Sequence, residues 1–425
     1  MVQQGNGQFS KLSPHSDTGT PLLFKNSFSD EELSARLAML RTEMAARELD
    51  LVLVSTPENI FYLTGLDHWG YFAPHLLIVP LAGEMTLITR AMERVTVEAQ
   101  VRNALFQGHA DNETVADVAV RHLQARNATK SRLEAALDEA KRAIADLPGT
   151  RFRIGLETWS SGHSFAFGAA LRESMPSDQW IDITGLVDKL RLVKSFEEQK
   201  LLRAAAKISD LSAESAIAAI SAGAREAEVA AECIGTMVRA GGQPPGFGPF
   251  IRPAHRLGEE HATWGDGVFD AGQPVFVELA GCVSRYHAPL GRLVHVGDMP
   301  EENARMAQTA EAAFEAVLSA LKPGALARNV YDAWQGIVDD AGLGHYRRHH
   351  CGYCVGIGFP PSWTGGNSVT GLRHDSDLEI NPGMSFHVLS WLMATGRGDF
   401  FLSNSVLVGE NGPEVLTKTP YVPIR

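Results

Sequence analysis

Residues 188–220 read DKLRLVKSFEEQKLLRAAAKISDLSAESAIAAI, a charged amphipathic run that separates two halves of different patterning. Ser195 and Glu198 have the spacing of a capping box, so the helix is expected to start there and the preceding residues to join two domains. Before the junction come short apolar runs at 49–55, 59–65, 75–81, 84–89 and 152–157, with helical patterns at about 114–125 and 130–146. Strands alternating with helices make residues 27–187 an α/β domain. After the junction, long helices (about 197–221, 225–240, 302–321 and 327–341) punctuate strands rich in Val and Phe at 274–284, 289–296, 384–393 and 401–408. Residues 188–425 therefore read as an α+β domain, helices grouped around a mostly antiparallel sheet. Residues 1–26, rich in Gly, Gln, Ser, Thr and Pro, have no periodicity and are expected to be a loosely attached tail. Order is expected from near Ser29, where Ser29 and Glu32 form another capping pair.

Two domains suit a chain of 425 residues, and 44% hydrophobic residues supply material for a core. The net charge of −12, with no basic run, argues against a nucleic-acid partner. It is compatible with attraction of a cationic small molecule, although acidic surfaces ordinarily serve solubility. No apolar stretch reaches the roughly 18 residues of a membrane span, and the start of the chain lacks a signal-peptide core. A cytoplasmic, reduced setting is the expectation. Cys351 and Cys354 have CxxC spacing, but without a second pair they read as packing residues, as do Cys233 and Cys282.

Five segments of the second half carry a resemblance: RLVKSFEEQKLLRAA (191–205), HATWGDG (261–267), ELAGCVSRYHAPLGR (278–292), GYCVGIGFPPSW (352–363) and NPGMSFHVLSW (381–391). In this order and spacing they resemble the pita-bread superfamily of creatinase, prolidase and methionine aminopeptidase, and most of all its ectoine-hydrolase and creatinase-like branch. The resemblance spans roughly residues 27–425 and implies a creatinase-like N-terminal α/β domain, a pita-bread catalytic domain and a homodimer. Metallopeptidases of that superfamily hold two divalent ions with two aspartates eleven residues apart, a histidine and two glutamates. Here those positions fall on Glu278, Pro289, Tyr353, Leu389 and Asn404. Pro and Leu have no ligating side chain, and neutral Tyr and Asn are poor replacements. The resemblance thus implies a site without metal or other cofactor, acting on a small-molecule substrate.

The remaining residues suit proton transfer. His261, seventeen residues before Glu278, matches the family's proton-shuttling histidine, and an imidazole both donates and accepts near neutral pH. Glu278 lies in the apolar run PVFVELAG, where a carboxylate is costly unless paired or functional; it is the candidate nucleophile or base. The plainer alternatives are a hydrogen-bonded histidine beside the sheet and a carboxylate paired with Arg285 or Arg292. His287, Tyr353, His387, Asn404 and Trp363 are candidate substrate contacts, each with ordinary packing as its alternative. Trp69, Tyr71 and Phe72 match the stretch that in creatinase-like dimers reaches toward the partner's site. Two departures separate the chain from the ectoine-hydrolase pattern. Trp363 is followed by Thr364-Gly365-Gly366 instead of Gly-Glu, and Asn404 replaces a glutamate; if either carboxylate recognises the amidinium, the substrate differs from ectoine. The reading is metal-independent hydrolysis of a non-peptide C–N bond in a small cyclic amidine, guanidine or amide. Its rivals are a metal-dependent Xaa-Pro peptidase and an inactive binding protein.

Overall fold

The structure is a computed structural model, and it describes residues 26–126, 152–176, 178–366 and 369–421. The tail through residue 25 and the helix expected at 130–146 lie outside the described residues. Asn26, expected to close the tail, is already buried, its Nδ2 donating to the carbonyls of Thr64 (2.8 Å) and Gln100 (3.0 Å).

The first domain is built on a six-stranded sheet: β1 (Leu51–Val54), β2 (Leu76–Pro80), β3 (Met85–Arg90), β4 (Ala104–His109), β5 (Arg153–Leu156) and β6 (Gln179–Asp182), in the order β4-β3-β2-β1-β5-β6. β1, β5 and β6 run parallel, while β2 is antiparallel to both neighbours. β4 and β6 carry no apolar alternation and escaped the sequence reading. The run at 59–65 is not a strand but part of a helix, Pro57–Thr64. Pro57 at its first turn and Gly65 in the left-handed region (φ 74°) bound it, but burial on every side erased its periodicity. Gly65 has a second reason: a Cβ there would lie 2.3 Å from the Asn26 side chain.

The second domain carries β7 (Phe250–Pro253), β8 (Pro274–Val283), β9 (Tyr286–His295), β10 (Gly352–Cys354), β11 (Ser385–Leu392), β12 (Phe400–Gly409) and β13 (Gly412–Val415). They form one antiparallel sheet, β10-β11-β12-β9-β8-β7, with β13 added on β12. The helices Phe196–Ala219 and Glu226–Arg239 cover one face through Ile251, Val275, Val277, Leu279, Leu290 and Val294. Glu301–Ala320 and Ala327–Val338 cover the same face further along. The last helix stops three residues short of expectation, in a wider turn over Asp339–Leu343. The opposite face of the sheet carries the candidate site.

The junction is a packed joint. Ser195 and Glu198 make the expected capping box. At Ser29 only half of a box forms: its Oγ accepts from the Glu32 N–H, but its own N–H donates to Glu197 of the second domain, and Glu32 turns to Arg36. Glu198 accepts from the buried Tyr286 hydroxyl (2.8 Å) and sits 3.8 Å from Arg36, whose guanidinium stacks on Phe28 and Tyr62. Removing one partner of a buried charged network leaves the others uncompensated. Glu198→Ala is expected to cost about 3 kcal/mol in urea unfolding, and a cost near zero would show that the joint holds without it.

Candidate active site

Cross-strand register builds the site. Phe250, Glu278, Gly291, Ser403 and Leu389 are successive partners across β7, β8, β9, β12 and β11, so their side chains share the face turned away from the helices. Alternation adds Ala280 and Pro289, which pair with each other, and His387, which pairs with Tyr353 of β10. Gly291 keeps the row open: a Cβ there would meet the Phe401 ring at 2.2 Å and Ser403 Oγ at 2.9 Å.

Four of the five positions matched to metal ligands, Glu278, Pro289, Tyr353 and Leu389, therefore face one another. Asn404 does not. It lies one residue out of phase, toward the helices, where its Oδ1 accepts from Arg292 (2.9 Å) and Thr417 (2.9 Å). A shift of one residue along a strand moves a side chain to the other face, so Ser403 is the β12 residue in the row and Asn404 makes no approach to the pocket. Arg292, once a candidate partner for Glu278, is also on the far side, bonded to main-chain carbonyls of Ser403, Thr419 and Pro420.

Glu278 is 8% exposed and accepts no hydrogen bond among the described residues. Burial lifts its carboxyl to about 8; Arg252 pulls it down and Glu260 pushes it up. Beside it runs a polar chain. The Trp363 indole donates to the Tyr353 hydroxyl (3.0 Å), which meets His387 Nδ1 (2.8 Å), and His387 Nε2 meets Ser403 Oγ (2.7 Å). An indole N–H only donates. One consistent arrangement sends the Tyr353 proton to Nδ1 and the Nε2 proton to Ser403. His387 Nε2 is 3.9 Å from Glu278. Burial holds His387 down at about 3, with His350 and Arg292 acting in the same direction, so near neutral pH this contact is a neutral imidazole beside a carboxyl, not an ion pair. Burial, and then Glu278, push the Tyr353 phenol well above its ordinary value.

Aromatic rings cluster on the Phe250 side of Glu278. Phe250, its cross-strand partner, lies 5.6 Å from Trp363, and Phe247 lies 4.7 Å from Trp363, edge to face. His261 belongs to this group. Its ring stacks on Phe247 (5.9 Å, 22°) and stands edge-on to Phe250 (6.1 Å). It is solvent-exposed, and its backbone is left-handed (φ 60°), a conformation costing a non-glycine residue about 1 kcal/mol or more.

His287 is placed differently. Its Nε2 accepts from the Gly246 N–H (2.9 Å) and its Nδ1 donates to the Arg285 carbonyl (2.9 Å), so both ring nitrogens brace main chain and none is left for a substrate. Burial holds it near 4, with Arg285 adding to the effect. Arg285 pairs with Asp67 (2.6 Å) rather than Glu278. Trp69 and Phe72 project into solvent, 57% and 81% exposed. Tyr71 packs inward on Phe359 and donates to the Leu66 carbonyl. All four cysteines are free and buried. Phe247, Phe250, Arg252 and Ser403 escaped the sequence reading: β7 is too short for alternation to show, and Ser403 needs the register to be told from Asn404.

The donors on this face do not fit the binuclear metal set of the family. Leucine and proline stand at two ligand positions, and His387 and Tyr353 are bonded to one another. Among the described residues no group of three or more His, Cys, Asp or Glu side chains has the arrangement to hold a metal ion.

The profile of the creatinase/prolidase N-terminal domain matches residues 36–193, and that of metallopeptidase family M24 matches residues 200–410. With a two-domain fold like that of solved prolidases, the chain belongs to the pita-bread creatinase/prolidase superfamily. It is 28% identical to the ectoine hydrolase of Halomonas elongata over 92% of this chain and 97% of that one. It is 23% identical to an Xaa-Pro dipeptidase of Pyrococcus horikoshii over 88% of this chain and 95% of that one. Among solved structures, the Xaa-Pro dipeptidase of Bacillus anthracis superimposes with a TM-score of 0.75, covering 92% of this chain and all of that one at 20% identity. These relatives support a hydrolase of this family. No described helix is long and apolar enough to cross a membrane.

Proposed function

We propose that the protein hydrolyses a C–N bond in a small cyclic amidine, guanidine or related amide, without a metal ion. The observation that carries this reading is the row Phe250–Glu278–Gly291–Ser403–Leu389: one carboxylate, no second ligand, and aromatic rings beside it. Such a pocket suits a planar cation, which an aromatic face attracts and a single carboxylate balances. The cation also supplies what Glu278 lacks, because a positive charge within a few ångströms favours the ionised carboxylate. Glu278 then attacks the amidine carbon, or removes a proton from the water that does, and His261 protonates the departing nitrogen. In the first case water releases the acyl group from Glu278. In both, one amidine and one water yield one amide and one amine. Tyr353, His387 and Trp363 hold the polar wall beside the reacting carbon. Kinship with the ectoine hydrolase favours this reaction class. The change after Trp363 favours a different substrate.

The test is proton NMR of EDTA-treated protein incubated with ectoine, hydroxyectoine, creatine, related amidines and lactams, and a Gly-Pro dipeptide. The expected result is a ring-opened or cleaved product from an amidine or guanidine at a rate unchanged by EDTA. Cleavage of Gly-Pro alone, and only after metal is restored, would overturn the reading in favour of a peptidase. One observation favours a second reading, a binding protein without turnover: His261 is exposed and makes no hydrogen bond among the described residues. Saturable binding with no product after days would select it.

A further inference from the structure

Where the first domain meets the turn between β8 and β9, residues 66–75 form a loop closed on itself by two histidines. His68 Nε2 and His75 Nε2 meet at 3.0 Å, and His75 Nδ1 lies 2.9 Å from the Ala73 carbonyl. On its other side His68 turns Nδ1 toward Glu93 Oε2, 3.3 Å away, in the short turn Ala91–Glu93. Tyr71 packs against both rings, 4.9 Å from His68 and 4.7 Å from His75. Both imidazoles are buried, while Trp69 and Phe72 between them project into solvent. The loop also touches the segment that carries Trp363: the Tyr71 ring lies 4.9 Å from Phe359, and Arg285, paired with Asp67 of the loop, lies 5.1 Å from the same ring.

Donor counting shows what the clasp requires. A carbonyl only accepts, so His75 Nδ1 carries a proton. A neutral His75 then offers Nε2 as a bare acceptor, and His68 donates from its own Nε2. His68 Nδ1 is left bare and faces a carboxylate. One added proton is accommodated at that nitrogen, between the ring and Glu93, without touching the clasp. A second has only His75 Nε2 to go to. There it removes the acceptor, and two imidazolium N–H groups confront each other across 3.0 Å. The clasp holds with no added proton or with one, and not with two.

The charged groups facing the pair come from three elements. Asp67 of the loop itself favours a proton on His68 and Glu93 favours one on His75, whereas Arg285 of the β8–β9 turn opposes it. Glu58, from the helix Pro57–Thr64, faces Tyr71. Burial outweighs the two acids and holds each ring at about 4, with Arg285 adding to the effect at His68 and His68 adding to it at His75. The closed loop thus prefers the neutral pair. What the pair contributes to closure is complete above about pH 6.5 and is lost as the pH falls toward 4.

We infer that His68 and His75 form an acid-released latch, which holds residues 66–75 closed with Tyr71 against Phe359 and lets the loop swing out when both rings are protonated. The latch stands apart from the reaction assigned to the pocket, and its test needs no substrate.

The test is hydrogen–deuterium exchange of the full-length protein between pH 7 and 5, corrected for the intrinsic pH dependence of amide exchange. It is read on peptides covering 66–75, where the Asp67 and Ala73 N–H groups are bonded in the closed loop, and on Pro274–Val283 of β8 as reference. One proton taken up on opening multiplies the open population by up to about 10 per pH unit, and two protons by up to about 100. The loop is expected to exchange at least ~10-fold faster at pH 5 than at pH 6.5, with the β8 reference unchanged. The double variant His68→Gln/His75→Gln keeps a donor and an acceptor at the clasp and cannot titrate. Its loop is expected to match the parent at pH 7 and to show no rise in acid. His75→Ala removes the acceptor, and its loop is expected to exchange at pH 7 as fast as the parent's does at pH 5. Exchange of the parent loop that stays flat with pH overturns the latch. So does an equal acid rise in the double variant, which would assign the response to the Asp67–Arg285 pair, and so does a rise shared by β8, which would mark general loosening of the fold.

Discussion

Glu278→Gln is expected to abolish turnover, lowering kcat at least ~10³-fold, and at the same time to make the protein more stable in alkali. Both effects come from one property, a carboxyl raised from 4.5 to about 8 by burial. The folded state binds that proton more tightly than the unfolded chain, so the stability it confers is complete below about pH 4.5 and declines as the pH climbs toward 8. Each unit of displacement is worth about 1.4 kcal/mol. Glutamine has the shape of the protonated acid and never ionises. The variant is therefore expected to melt with the parent at about pH 4 and clearly above it at about pH 9. The rate carries the opposite sign, because only the carboxylate attacks or accepts a proton. For the parent enzyme kcat/KM should rise with pH and level off above about 8. The kcat profile should level off earlier, since the bound cation favours the ionised form. Turnover that survives in Glu278→Gln, or a kcat/KM flat across that range, would remove Glu278 from the chemistry.

How much of this was legible beforehand follows the physics of each signal. The long helices and the strands of the second domain announced themselves because their apolar faces are long enough to count. Residues 59–65 did not, since a helix buried all round has no polar face to set its period. The β7 strand offers only two alternations, and with it went Phe250 and Arg252. At the site, the family resemblance put Glu278, Tyr353 and Leu389 at matched positions and strand alternation added His387, and the structure sets the four on one face. The resemblance also placed Asn404 with them, and there the structure differs by one residue. A strand's alternation fixes which residues share a face, but the identity of that face comes from the partner strand. His287 shows a different limit. Its sequence neighbours are those of a pocket residue, and only the hydrogen bonds from Gly246 and to Arg285 show that its nitrogens serve the main chain.

The last expectation concerns His261, which the family resemblance singled out and which the structure leaves on the rim of the pocket. His261→Ala is expected to lower kcat by ~10²–10⁴ with KM nearly unchanged, because the ring rests on Phe247 and Phe250 and holds no other polar group. Its exposure means that little stability should be lost. The backbone sharpens the test. At φ 60° alanine is as strained as histidine, whereas glycine is not. His261→Gly should therefore be as inactive as the alanine variant yet melt at the same temperature as the parent or above it. That pair separates a lost proton donor from a damaged loop, since a structural role would make the more stable variant the more active one. Added imidazole should restore part of the rate to both. A rate within about tenfold of the parent in either variant would take His261 out of the proton transfer. The remaining route would then run through the Trp363–Tyr353–His387–Ser403 chain beside Glu278.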